Sequence, residues 1–186
     1  MKSVLASLRL VIITLAVTVA AYTVAVLGIA RALAPETALG SLLTSPDGKV
    51  VGSRLIAQKF SKPEYFWPRP SAVDYNAAGA GGSNKSPTSP DLTERAGKTV
   101  ADYGATPANP LPAELAAASG GGLDPDITEH GALYQAKRVA EARHLEASQV
   151  EAFIHGLAYS PGGAVFPDRL VNVLELNLAL DKLAAK

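Results

Sequence analysis

Residues 10–30 read LVIITLAVTVAAYTVAVLGIA, a stretch between Arg9 and Arg31 that contains no charged side chain. As an α-helix, these residues would extend for about 32 Å at roughly 1.5 Å per residue. That length matches the roughly 30 Å hydrocarbon core of a bilayer. The stretch therefore predicts one transmembrane helix over 10–30, and this helix decides how the rest of the chain is arranged.

A cleavable signal peptide is the alternative, because Ala32, Leu33 and Ala34 have the small-x-small pattern of a cleavage site. Signal peptides have apolar regions of about 7 to 15 residues, which is shorter than this stretch. Pro35 also follows the cleavage position directly. We therefore expect the helix to stay in place as an uncleaved anchor.

The basic residues around the helix predict its orientation. Lys2 and Arg9 lie on its N-terminal side, whereas Arg31 is the nearby basic residue on the other side. Because positive charge favours the cytoplasmic side, we expect residues 1–9 in the cytoplasm and the remainder outside the membrane. Residues 31–48 are predicted to be a linker that ends in a turn at 46–48, and residues 49–186 a single domain.

Composition excludes several classes of function for this domain. Beyond the helix the formal charge is about −2, so there is no basic stripe to neutralise nucleic-acid phosphates. The chain has no cysteine, which excludes a disulfide framework, a thiolate metal site and a cysteine nucleophile.

Residue patterns predict an α+β domain with strands near both ends and helices between them. The expected pairing joins the two terminal strand regions. Strands are predicted within 50–58 and at 170–174, and helices at 90–103, 113–118, 128–143, 150–157 and 176–183. Ser89 and Thr128 are the predicted N-caps of the first and third of these helices.

The most tempting catalytic pattern is Gly-Ala-Gly-Gly-Ser-Asn-Lys-Ser at 79–86, which superficially resembles a phosphate-binding loop. A P-loop requires glycine directly before the lysine, and Asn84 occupies that position. The pattern therefore favours a structural loop in which small residues permit tight turns.

Other chemical constellations are equally weak. His130, His144 and His155 are 14 and 11 residues apart, so no pair shares one helical face as zinc ligands do. Asp124 and Asp126 flank a proline, a pattern more typical of turn and cap residues than of an acid/base pair. The residues alone therefore favour binding or assembly over catalysis, with no metal site and no catalytic residue.

Several segments together resemble one family, the C subunit of the bacterial Kdp potassium-transporting P-type ATPase. They run in order from the first predicted strand to the C-terminus: Gly52-Ser53-x-Leu55-Ile56-x-Gln58, Phe66-Trp67-x-Arg69-Pro70-Ser71-Ala72, Gly81-Gly82-Ser83-Asn84, Ala118-Ser119-Gly120-x-Gly122-Leu123-Asp124-Pro125, Gln135-x-x-Arg138-Val139-Ala140 and Val171-Asn172-Val173-Leu174-x-Leu176-Asn177. The chain departs from the family pattern at Lys85, Ser86 and Ser89.

The resemblance implies an accessory subunit that is not an enzyme by itself, in the bacterial inner membrane. Its implied partners are a channel-like potassium-binding subunit and a P-type subunit that hydrolyses ATP. ATP is implied only through that hydrolysing subunit. The family suggests assembly, a catalytic-chaperone effect on ATP affinity, or docking over the outer mouth of the channel-like subunit.

Under the docking hypothesis we expect the contacts to come from loops. The candidate interface residues are Arg69, Ser71, Ser83, Asn84, Asp124 and Arg138. Small residues of the membrane helix permit close approach of a partner helix. The candidates for this packing are Ala16, Ala20, Ala21, Ala25 and Gly28.

Two other functions stay open from the residues. One is a free-standing, membrane-anchored extracytoplasmic binding or assembly domain that shares only the architecture. The other is a secreted hydrolase that uses Ser83 or Ser119, although the chain has no Gly-x-Ser-x-Gly elbow to support it.

Overall fold

The computed structural model describes residues 2–163 and 165–184 of the 186-residue chain. The chain divides into two compact units, the first ending at Leu42 and the second beginning at Leu43.

The first unit is helical. It consists of α1 (Lys2–Leu15), a π-helical segment (Ala16–Ala21), α2 (Tyr22–Leu33) and the short α3 (Pro35–Ala38). From Lys2 to Leu33 the helix is continuous and is long and apolar enough to cross a membrane, judged by length and composition. The predicted span of 10–30 lies inside it. Three of the five small packing candidates fall in the π-helical segment, and the other two lie in α2.

The second unit mixes helices with short strands, as predicted for an α+β domain. Its elements are β1 (Leu42–Thr44, beginning one residue before the boundary), β2 (Val50–Ser53), α4 (Pro90–Asp102), α5 (Ala113–Ala116), β3 (Asp126–Thr128), α6 (Glu129–Arg143), α7 (Ala147–Leu157), β4 (Leu170–Asn172) and α8 (Val173–Ala184). The predicted helices are therefore present, with their ends shifted by a few residues.

The predicted pairing of the terminal strand regions is wrong. β2 pairs with β1, while β4 pairs with β3 in an antiparallel register that places Ile127 opposite Val171. The sequence analysis missed β3 because three residues between a proline turn and a helix are too few to show an alternating pattern. Ile127 and Val171 are both buried, so this small sheet contributes to the core.

Side-chain caps determine where two helices begin. The Thr128 hydroxyl accepts a hydrogen bond from the Gly131 N–H at 2.9 Å, which confirms this residue as an N-cap. Ser89 occupies the N-cap position of α4 but makes no capping bond through its side chain. The Asn172 amide oxygen accepts from the Glu175 N–H at 3.1 Å, so β4 ends there and the last helix starts earlier than predicted.

The core lies between α6, α7, α8 and the β3–β4 pair. Phe66 from a loop and Leu115 from α5 also contribute to it. The largest fully buried apolar side chains are Phe66, Leu115, Ile127, Val139, Val150, Ile154, Val171, Leu176 and Leu180. Each such side chain stabilises the fold by about 1.5–3 kcal/mol relative to an exposed one.

Residues 63–67 lie against this core without regular secondary structure and bury Phe66 in it, and two buried amides pair the backbone groups of Phe66 and Trp67. The Asn177 side chain accepts from the Phe66 N–H at 2.8 Å and donates to the Phe66 carbonyl at 3.0 Å. The Gln135 side chain does the same for Trp67, at 2.8 and 3.0 Å. Because buried backbone groups must be paired, these amides replace the neighbouring strand that the segment lacks.

We expect Asn177→Ala to lower the free energy of unfolding by about 3 kcal/mol, because two buried backbone groups of Phe66 lose their partners. The measurement is urea unfolding of the full chain in detergent, followed by the fluorescence of Trp67, the single tryptophan. Asn109→Ala is the control, since that side chain is exposed and makes no hydrogen bond among the described residues. Equal unfolding midpoints for the two variants would contradict the assigned role.

Candidate functional site

Three loops meet on one side of the second unit. The Gly81 N–H donates to the Gly121 carbonyl at 2.9 Å, and the Ser119 N–H donates to the Pro70 carbonyl at 3.0 Å. We call residues 69–75, 81–84 and 118–124 together the glycine-loop surface. These hydrogen bonds join segments that are far apart in sequence, so the surface forms only when the unit is folded.

Glycine is required at two positions because the loops pass very close to each other. A Cβ atom on Gly82 would lie 2.6 Å from the Gly120 carbonyl oxygen. A Cβ atom on Gly122 would lie 2.7 Å from the Gly81 carbonyl oxygen, and Gly122 also has a φ of +71°. The small residues of 79–82 and 120–122 therefore permit backbone-to-backbone packing, as the sequence analysis predicted for the first loop.

Arg69 and Asp124 form an ion pair at the edge of this surface. The Arg69 Nη1 lies 3.1 Å from Asp124 Oδ2, and the two side chains are 27% and 36% exposed. The Tyr75 hydroxyl donates to the Arg69 carbonyl at 2.9 Å. Burial, with a smaller effect of Asp74, raises the pKa of Tyr75 to about 12, which keeps this hydroxyl a neutral donor.

The remaining loop candidates have different surroundings. The Ser71 hydroxyl accepts from the Val73 and Tyr75 N–H groups at 3.2 and 2.9 Å, so it fixes the turn of its own loop. Ser83 is half-buried, and Asn84 is exposed with a left-handed φ of +50°. The structure therefore brings Arg69, Ser71, Ser83, Asn84 and Asp124 into one surface, with Asn84 the most open.

Arg138 lies outside the glycine-loop surface. Its Nη1 donates to the Pro63 and Tyr65 carbonyls at 2.6 and 3.0 Å, and its guanidinium carbon lies 3.9 Å from the centre of the Trp67 ring. Burial lowers the pKa of Arg138 from its ordinary value. These contacts fix the 63–67 segment to α6.

The loop at 79–86 is closed on its inner side. The Gly81 N–H is already bonded to the Gly121 carbonyl, and the Gly120 carbonyl fills the space beside Gly82. Lys85 forms an ion pair with Asp91. A phosphate-binding loop needs free N–H groups and a lysine aimed at the phosphate, so this loop has the geometry of a packed structural element.

Neither serine considered as a nucleophile is bonded to a histidine among residues 2–163 and 165–184. Ser119 is buried, and its hydroxyl has no hydrogen-bond partner there. His155 instead contacts Glu129, with Nδ1 2.8 Å from Oε1. No group of three His, Cys, Asp or Glu side chains among the described residues is arranged to hold a metal ion.

A second site, the Asp126 cavity, was missed by the sequence analysis. This cavity of about 480 Å³ is lined by Leu55, Pro125, Asp126, Leu157, Tyr159 and Glu175, among others. The Tyr159 hydroxyl donates to Asp126 Oδ2 at 3.1 Å. Burial raises the pKa of Asp126, and burial together with the Asp126 charge raises the pKa of Tyr159 to about 12. The acidic pair around Pro125 was the available signal in the sequence, but Tyr159 reaches Asp126 only in the fold, where Tyr159 pairs with Leu170 and β4 pairs with β3.

Comparison with known proteins gives a consistent result. The family model described as KdpC, K+-transporting ATPase, c chain, matches residues 4–182. A protein of Parvibaculum lavamentivorans is 63% identical over 98% of this chain and 98% of its own length. Proteins of Flavobacterium johnsoniae (42%, covering 98% and 100%) and Dechloromonas aromatica (44%, covering 96% and 96%) are also similar. All three are named Potassium-transporting ATPase KdpC subunit.

We expect Gly82→Ala to lower the free energy of unfolding by about 1–3 kcal/mol, because the new methyl group must displace the Gly120 backbone. Gly121→Ala is the matched control, since a Cβ atom there meets nothing within 4 Å. Urea unfolding midpoints of the full chain in detergent measure the difference. If both variants unfold at the wild-type midpoint, the loops are not as tightly packed as described.

Asp126→Asn is expected to stabilise the fold at neutral pH. A raised pKa in the folded state means that the charged carboxylate destabilises this state relative to the unfolded chain. That penalty is present above the folded-state pKa, declines as the pH falls through it, and is absent below the ordinary value of 3.8. The advantage of Asp126→Asn over wild type should therefore disappear at low pH.

The difference is measured by thermal unfolding of wild type and Asp126→Asn from neutral pH to below pH 3.8. Glu94→Gln removes one charge from an exposed side chain that has no ion pair among the described residues, and it serves as the control. A stability difference between wild type and Asp126→Asn that stays constant with pH would show that the carboxyl carries no such penalty.

Proposed function

The chain belongs to the KdpC family, the c chain of the K+-transporting ATPase, and from this premise we propose its specific role. It acts as the accessory, non-hydrolysing subunit of a high-affinity, ATP-driven potassium importer, required for assembly and activity of the complex. The observation that carries the proposal is the family match, which spans residues 4–182 and so includes both the apolar helix and the second unit.

The proposed partners are the channel-like subunit that binds potassium and the P-type subunit that hydrolyses ATP. The relatives are each named as a subunit of a potassium-transporting ATPase, which supports a multi-subunit complex. The glycine-loop surface supports docking, because its loops are held rigidly and present a half-exposed ion pair. A rigid surface loses little conformational entropy when a partner binds.

The closed loop at 79–86 supports a role without ATP hydrolysis in this chain. The Gly81 N–H donates to the Gly121 carbonyl, and the Gly120 carbonyl fills the space beside Gly82. ATP is therefore proposed to act only through the hydrolysing subunit.

We propose that the helix spans the bacterial inner membrane with residues 1–9 in the cytoplasm. Lys2 and Arg9 precede the apolar stretch, and Arg31 alone follows it closely, which supports this orientation. The second unit then lies outside and cannot contact cytoplasmic ATP. Any effect on ATP affinity must be an allosteric coupling through the helix or the partner subunits, and it requires two states that differ in their contacts.

Purification of the tagged full-length chain in mild detergent, from cells that also produce the other subunits, tests this proposal. We expect large polytopic subunits to co-elute, and we expect cells that lack the chain to grow poorly at low potassium. A chain that elutes alone would favour the free-standing binding domain. Normal growth without the chain would contradict the accessory role.

Within that experiment, Asn84→Gly tests the glycine-loop surface. Glycine keeps the left-handed backbone and removes the side chain, so the fold should be retained. We expect the amount of co-eluting subunits to fall several-fold. His144→Gly is the matched control, because His144 is also exposed and left-handed, with a φ of +56°, but caps the end of α6. Equal recovery for both variants would exclude an Asn84 contact.

A further inference from the structure

An apolar groove on α7 adjoins the Asp126 cavity at Leu157. The groove has a volume of about 350 Å³ and is lined by Ala152, Phe153, Gly156 and Leu157. Leu157 also lines the Asp126 cavity, so the two depressions share this residue. Both are within the size range of sites that receive a side chain or a small ligand.

Large apolar side chains are exposed around this joint depression. Leu55 is 57% exposed, Tyr159 44% and Leu157 38%. Single exposed apolar residues are ordinary, but a group of them around a cavity is typical of an interaction site. The depression therefore has an apolar half on α7 and a polar half at Asp126.

The charge in the polar half is not balanced. Glu175 pairs with Arg54 at 2.6 Å, and Asp124 pairs with Arg69 at 3.1 Å. Asp126 has no cationic partner among residues 2–163 and 165–184. Its carboxylate accepts a hydrogen bond from the neutral Tyr159 hydroxyl. A half-buried carboxylate without a counter-charge is costly in a folded protein, and a cation supplied from outside would neutralise it.

We propose that this joint depression is a second docking surface, for a protein segment that places a lysine or arginine at Asp126 and an apolar side chain beside Leu157. The inference rests on the proposed function, because it assigns the segment to a partner subunit of the complex. Charge complementarity to Asp126 and the apolar wall of α7 select this partner over an acidic or wholly polar one.

A protein segment fits this site better than a free metal cation. Hard cations require several oxygen ligands around one point. The described part of the chain has no such grouping of carboxylates and histidines, and half of the depression is apolar. A long basic side chain can lay its methylene groups on the apolar wall while its charged end reaches the carboxylate.

Because the chain has no cysteine, a single introduced cysteine gives one defined cross-linking position. Leu157→Cys, labelled with a thiol-reactive photo-cross-linker that inserts into any nearby side chain, should join the chain to a partner subunit when the assembled complex is illuminated. Glu94→Cys, on the exposed face of α4 and lining neither depression, is the matched control and should give at least about tenfold less product. Equal yields from the two positions would overturn the proposal.

Asp126→Asn tests the charge. It keeps an acceptor for Tyr159, and we expect at least about tenfold weaker retention of the chain by the complex at low salt, where the attraction between charges is least screened. Glu94→Gln should be retained like wild type. Unchanged retention of Asp126→Asn would overturn the basic-residue assignment. Failure of the wild-type chain to co-purify would instead contradict the proposed function itself.

Discussion

The satisfaction of the 63–67 backbone is the constraint on which the second unit depends. This segment contains a proline, buries Phe66 in the core and pairs with no strand among the described residues, so its N–H and carbonyl groups are paired by side chains. Gln135, Arg138 and Arg143 supply them from α6, and Asn177 supplies them from α8. Because these four side chains hold consecutive residues, Phe66 enters the core and the chain leaves toward Arg69 in one defined direction.

That direction determines how the loops meet. Pro70 follows Arg69, and its carbonyl accepts a hydrogen bond from the Ser119 N–H. This bond brings residues 118–124 beside residues 69–75. The glycine-loop surface is therefore a consequence of the buried amides in α6 and α8. These contacts join residues that are far apart in sequence; Trp67 and Gln135, for example, are 68 positions apart.

The helices were predictable because periodic apolar residues and a cap such as Thr128 act locally. Strand pairing was not predictable, because three-residue strands carry no readable alternation and their partners are chosen by distant packing. Arg69 and Asp124 were both expected at one interface, and the structure does bring them together. The interior role of Arg138 and the cavity at Asp126 could not be predicted from spacing, because both depend on tertiary contacts with Trp67 and Tyr159.

Asp124 connects the two surfaces of the molecule. Its Oδ2 holds Arg69 in the glycine-loop surface, and its Oδ1 accepts the Asp126 N–H at 3.3 Å beside the second cavity. A partner that withdraws Arg69 would leave Asp124 uncompensated and add negative charge next to Asp126, where it already contributes to the raised pKa. A basic side chain docked at Asp126 would offset that charge. Occupation of the two surfaces would therefore be electrostatically favourable in combination, which is consistent with the proposed accessory role.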